Sequence, residues 1–63
     1  MIKFATDKGP VTVEIQSENF YLCSQPSGGG HIREVYVPAL FPSEAAKKAI
    51  RFWYGKDPTK MTR

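Results

Sequence analysis

The sequence has little that could cross-link a small domain. It contains a single cysteine, Cys23, and a single histidine, His31. An internal disulfide needs two cysteines, and an ordinary structural zinc site needs four Cys or His ligands, so both are excluded. For a chain of 63 residues, the gain from burying apolar surface is about as large as the entropy cost of folding. We therefore expect a protein partner, self-association, or both.

Long hydrophobic runs are also absent. Residues 1–7 read MIKFATD and alternate polar with apolar side chains, which is typical of neither a signal peptide nor a membrane span. An unpaired cysteine fits a reducing compartment. The sequence therefore predicts a cytoplasmic protein that does not bind membranes.

Motifs for catalysis are sparse as well. The glycines at 28–30 could hold an anion with backbone N–H groups, but they match no phosphate-loop or dinucleotide motif, so a mobile hairpin loop is favoured. His31 and Cys23 flank this loop and would form a nucleophilic pair only within hydrogen-bond reach; a loop histidine beside a half-buried thiol is the favoured alternative. We predict no catalytic residue, metal, cofactor or small-molecule substrate, and hence no enzyme.

What the sequence does contain is a strand-rich pattern. Alternation of apolar and polar residues predicts four strands, at residues 2–6, 11–16, 20–24 and 32–37, with a turn at 7–10 and a flexible loop at 25–30. In the last strand, Val35 and Val37 are expected on one face and Glu34 and Tyr36 on the other. Pro38 ends that strand.

A helix is predicted at about residues 44–54. Ser43 is the expected N-cap, Glu44 suits the positive end of the helix dipole, and Gly55 supplies a left-handed C-cap. At about 100° per residue, one side collects the apolar residues Ala45, Ala46, Ala49, Ile50, Phe52 and Trp53. We expect this side, including Phe52 and Trp53, to pack on the sheet.

These elements predict an α+β fold, a three- to four-stranded antiparallel meander with one C-terminal helix on one face. Residues 1–55 form the predicted domain, and residues 56–63 form a basic tail that frays. If the helix covers one face only, we expect Tyr21, Cys23 and Tyr36 on the other. The predicted partner-binding residues are Tyr21, Tyr36 and Arg33.

Positive charge is concentrated near the C-terminus. Residues 1–43 carry three basic and four acidic groups, and residues 44–63 carry six basic and two acidic groups. The six are Lys47, Lys48, Arg51, Lys56, Lys60 and Arg63. They would suit a phosphate backbone or an acidic protein surface, and a merely solvated helix face is an equal alternative.

The segment 35–54 resembles the last strand and helix of the DNA-binding domains of plant ethylene-response factors and tyrosine integrases. There a phrase of the type F-x-[ST]-x-E-A-A precedes the helix, and residues 41–46 read FPSEAA. The resemblance implies DNA binding by a basic sheet, whereas these strands carry Glu14 and Glu34 beside Lys3 and Arg33. The segment is also similar to the strand and helix of HicB-type antitoxins. Neither resemblance assigns a family.

The leading hypothesis is a small non-enzymatic binding protein that contacts another protein through an exposed sheet face and a basic helix. Compact α+β chains of this length are common among phage and mobile-element accessory proteins, which often bind one host protein. The alternative is nucleic-acid binding by the basic C-terminal helix and tail.

Overall fold

Five antiparallel strands and one helix make up the protein, and the computed structural model describes residues 1–63. The strands are β1 (Ile2–Thr6), β2 (Gly9–Ser17), β3 (Phe20–Gly28), β4 (His31–Pro38) and β5 (Met61–Thr62), and the helix is α1 (Pro42–Tyr54). The sheet order is β4-β3-β2-β1-β5. The predicted α+β fold, a four-stranded meander followed by one helix, is confirmed, and a fifth strand joins it.

The turn between β3 and β4 is tighter than predicted. Gln25 and Pro26 continue the ladder opposite Arg33 and Ile32, so the expected loop at residues 25–30 shrinks to a short turn. Gly29 and Gly30 form its tip with φ of 59° and 79°, a left-handed backbone that glycine adopts without a steric penalty.

The core lies between α1 and one face of the sheet. Its buried apolar residues are Phe4, Val11, Val13, Tyr21, Cys23, Val37, Ala39, Ala45, Ala46, Ala49 and Ile50. Three alanines of α1 are fully buried, and their small side chains let the helix lie close to the strands. Because only 12 of 63 residues are buried, much apolar surface remains in contact with water.

The start of α1 differs from the prediction. The helix begins at Pro42, so Phe41 occupies the N-cap position and no side chain caps the first turn. Ser43 lies one residue inside the helix and is not the cap. Glu44 Oε1 instead accepts a hydrogen bond from the backbone N–H of Leu40 at 2.7 Å. The predicted C-cap is confirmed, since Gly55 has φ 81°.

Phe52, which we expected to pack on the sheet, lies at the surface, and so does Ile15, which alternates with Val11 and Val13 on the inward face of β2. Phe52 is 71% exposed and Ile15 is 64% exposed. Phe52 lies roughly 90° from the centre of the buried helical stripe at 100° per residue, which places it at the margin. Trp53 is half-buried and packs against the core. Ile15 pairs with Tyr21, immediately before an irregularity in the ladder.

The tail folds back on the sheet instead of fraying. Met61 pairs with Thr6, and Thr62 pairs with Ala5. The Asp7 carboxylate accepts a hydrogen bond from the backbone N–H of Thr59 at 2.9 Å. The expectation of a frayed tail is wrong because Asp7, considered in the sequence only as a turn residue, binds the backbone that leads into β5.

Candidate functional site

The sheet face turned away from α1 carries an apolar group, the aromatic patch, formed by Phe20, Leu22, Tyr36 and Pro38. The register sets Leu22 opposite Tyr36 and Phe20 opposite Pro38. The rings of Phe20 and Tyr36 stack with centroids 5.8 Å apart and planes 9° apart. Tyr36 is nevertheless 57% exposed and Phe20 is 38% exposed. The patch is therefore an ordered aromatic surface in contact with water.

The placement of Tyr21 and Cys23 corrects the sequence interpretation. Both face α1, with Tyr21 7% exposed and Cys23 fully buried. The core position of Tyr21 follows from its pairing with Val37, which also faces α1. Of the three side chains expected on the open face, only Tyr36 lies there.

Arg33 lies on the helix side of the sheet, apart from Tyr36. Its guanidinium carbon is 5.5 Å from the ring centroid of Tyr54 and 6.0 Å from that of Trp53. The Nε atom is buried and has no hydrogen-bond partner. The three predicted partner-binding residues therefore do not form one surface.

A polar contact beside Arg33 joins the end of α1 to the sheet. The Tyr54 hydroxyl donates to Gln25 Oε1 at 2.7 Å, and Gln25 Nε2 donates to the Lys8 carbonyl at 3.0 Å. Gln25 is 2% exposed, so these bonds satisfy a buried amide. Sequence reasoning missed this contact because it placed Gln25 in a loop.

The outer side of α1 brings three of the six predicted basic residues together. Lys47, Lys48 and Arg51 line an open concavity of about 360 Å³ that also includes Glu44 and Asp57. Lys48 Nζ donates to the Pro38 carbonyl at 2.7 Å, so this ammonium is already partly engaged. The remaining three predicted residues, Lys56, Lys60 and Arg63, are exposed but do not line the concavity.

The aromatic patch and this basic concavity lie on opposite layers of the fold. Ala45, Ala49 and Ile50 turn the inner side of α1 to the sheet, so Lys47 and Arg51 point away from it, while Lys48 reaches the Pro38 carbonyl at the end of β4. Tyr36 points away from the other side of the sheet. The exposed sheet face and the basic helix of the leading hypothesis therefore lie on different sides of the fold and approach each other only where Lys48 meets Pro38.

The chain matches no protein-family model, no curated protein and no solved structure.

The residues considered for catalysis do not meet. Cys23 is opposite Val35, whereas His31 is opposite Gly28, so His31 lies four residues, or about 13 Å, further along β4. Burial raises the pKa of the Cys23 thiol to about 11, and its Sγ donates to the Ala45 carbonyl at 3.5 Å. The two side chains do not form a nucleophilic pair.

The Asp7 carboxylate has a lowered pKa. Hydrogen bonds from Thr59, assisted by one from the backbone of Lys60, hold the pKa of Asp7 below its usual value of 3.8. No group of three His, Cys, Asp or Glu side chains is close enough to hold a metal ion. The structure contains no helix with the length and apolar character needed to span a membrane.

Proposed function

We propose that the protein is a small non-enzymatic binding protein that recognises another protein through the aromatic patch. The observation that carries this proposal is the stacked, water-exposed pair of Phe20 and Tyr36. Large aromatic side chains are enriched at protein interfaces, where they bury much area for little loss of rotamer freedom. Here two rings already hold each other in place on a sheet, which lowers the entropy cost of binding.

Acidic groups at the edge of the aromatic patch favour a partner with basic residues around an apolar centre. Glu14 is opposite Leu22 on the same face, and Glu34 precedes Tyr36 by two residues on β4. A partner surface with an apolar centre and Lys or Arg at its rim would match both features. Packing two patches face to face would bring like charges together, so a second copy does not fit this surface.

The test is capture from a lysate of the source cell by the immobilised protein, with and without nuclease. Tyr36→Ser removes the exposed ring, and Lys3→Ser is a matched control on the same open face, outside the patch. We expect nuclease-resistant capture of a defined protein that Tyr36→Ser abolishes and Lys3→Ser preserves. Circular dichroism confirms that both variants fold. Equal capture by the wild type and Tyr36→Ser would contradict the proposal.

Nucleic-acid binding is the second candidate, and the shared concavity of Lys47, Lys48 and Arg51 favours it. Because Lys48 already bonds Pro38, two cations are free for phosphates. Each phosphate contact changes the salt slope of affinity by about −0.9 on duplex DNA. Binding by these two cations alone predicts a slope near −2, whereas adding Lys56, Lys60 and Arg63 predicts about −4.5.

Titration of labelled duplex DNA over a range of salt measures this slope. The triple variant Lys47→Ala, Lys48→Ala and Arg51→Ala removes the positive charges of the concavity, and Lys56→Ala with Lys60→Ala is the control outside it. Tight binding at physiological salt that only the triple variant abolishes would place nucleic acid ahead of a protein partner. Weak binding that salt removes would leave the protein partner first.

A further inference from the structure

β4 is an edge strand of the sheet. Its eight residues pair with β3 on one side, and no strand lies on the other. The outward N–H and C=O groups of such an edge are able to pair with another strand. Arg33 and Glu34 give β4 one charge of each sign, so a second copy of β4 would meet no net repulsion.

We propose that a second copy of this chain pairs with β4 in the antiparallel sense across a two-fold axis. The two sheets would then form one continuous sheet with both helices on the same side. This inference rests on the proposed function, because the pairing would set two aromatic patches next to each other on the open face and enlarge the surface offered to a partner.

The positions of the charged side chains on β4 decide which residues of the two copies lie opposite each other. In an antiparallel sheet, directly opposite residues share a face. The two-fold axis must therefore lie between two copies of the same residue, which face each other across the ladder. An axis at Glu34 would place two carboxylates opposite each other, and an axis at Arg33 would oppose two guanidinium groups; both are destabilising. An axis at Val35 avoids like charges, sets Glu34 opposite Tyr36 of the second copy, and spans residues 32–38. Pro38 has no N–H and its carbonyl already accepts from Lys48, so the hydrogen bonds of this ladder come from the residues before it.

The size of this interface sets its strength. The ladder would be about 23 Å long at roughly 3.3 Å per residue, which is short for an interface that buries the usual ~800 Å² per partner. The expected dimer is therefore weak and depends on protein concentration. With only 12 of 63 residues buried in one copy, even this added burial would stabilise the fold by mass action.

Cysteine cross-linking tests the register directly. Val35→Cys would place two thiols opposite each other, and Ile32→Cys is the control because residue 32 would face residue 38 of the second copy. Both variants carry Cys23→Ala, because Cys23 lies opposite residue 35 on β3 and its thiol would compete for the new one within the same chain. Under mild oxidation we expect a disulfide-linked dimer from Val35→Cys, at least tenfold more than from Ile32→Cys.

Sedimentation equilibrium of the wild type provides a readout without any substitution, and the weight-average mass should rise toward that of a dimer with concentration. Equal cross-linking of both variants, or a strictly monomeric wild type at high concentration, would overturn the proposal. Stronger cross-linking of Glu34→Cys than of Val35→Cys would overturn the register. None of these results involves partner capture, so the effect of Tyr36→Ser on capture tests the proposed function separately.

Discussion

The orientation of α1 can be tested by comparing two apolar residues of the helix that lie two positions apart. Ile50 is fully buried and Phe52 is 71% exposed. Ile50→Val removes one methylene group and leaves a small cavity in the core, which costs about 1 to 1.5 kcal/mol. Phe52→Ala removes a much larger side chain, but from water, and alanine is the better helix former. We therefore expect its effect to lie within about 0.5 kcal/mol of zero.

Urea denaturation followed by Trp53 fluorescence measures both effects, and thermal melts provide a second estimate. For a domain of this size, 1 kcal/mol corresponds to a shift in Tm of about 4 to 8 °C. Ile50→Val should therefore lower Tm by roughly that amount, and Phe52→Ala should leave it nearly unchanged. A larger loss from Phe52→Ala than from Ile50→Val would refute the helix orientation, because it would place Phe52 in the core.

Three further predictions follow from buried or bonded polar groups. Burial raises the pKa of the Cys23 thiol to about 11, so the thiol should resist alkylation in the native state and react on unfolding. Because the neutral thiol is favoured in the fold, the stability that it contributes should be lost as the pH rises from about 9 to 11. Rapid alkylation of the native protein would contradict the burial of Cys23. Since the pKa of Asp7 is lowered, its stabilising effect is present above pH 3.8 and declines below it. Acidification or Asp7→Ala should therefore lower the protection of the Thr59 and Lys60 amides against hydrogen exchange, measured by NMR relative to the intrinsic rate at each pH. Unchanged protection would argue against the β5 contact. Tyr54→Phe leaves Gln25 Oε1 buried without its 2.7 Å donor and should cost about 1 to 3 kcal/mol in urea denaturation; a cost near zero would mean that water replaces the hydroxyl.

The elements of the fold could be predicted because their signals are local. Alternation in β1, β2 and β4 sets the inward and outward residues from neighbours two positions away. Gly55 ends α1 because only a residue tolerant of positive φ fits there. These features need no knowledge of what lies across the sheet, so the meander and the end of the helix were within reach of sequence reasoning.

Which side chains of β3 point toward α1 could not be predicted in the same way. Residues 20–23 are all apolar, so alternation fits Tyr21 and Cys23 outward as well as inward. The choice depends on the pairing of Tyr21 with Val37, sixteen residues away in the sequence. The burial of Gln25 and the return of β5 to β1 depend on similar contacts between distant residues, with Tyr54 and Asp7 respectively.

The composition of the aromatic patch follows from that same orientation of β3. If Tyr21 and Cys23 faced outward, Phe20 and Leu22 would turn to the core, and Tyr36 would lose the Phe20 ring on which it stacks. Because they face inward, Phe20 and Tyr36 meet on the layer opposite Lys47 and the other basic side chains. A flat partner on the aromatic patch therefore does not reach Lys47 and Arg51 on the outer side of α1. A macromolecule that needs both surfaces must wrap around an edge of the sheet, whereas two different partners could occupy them at the same time.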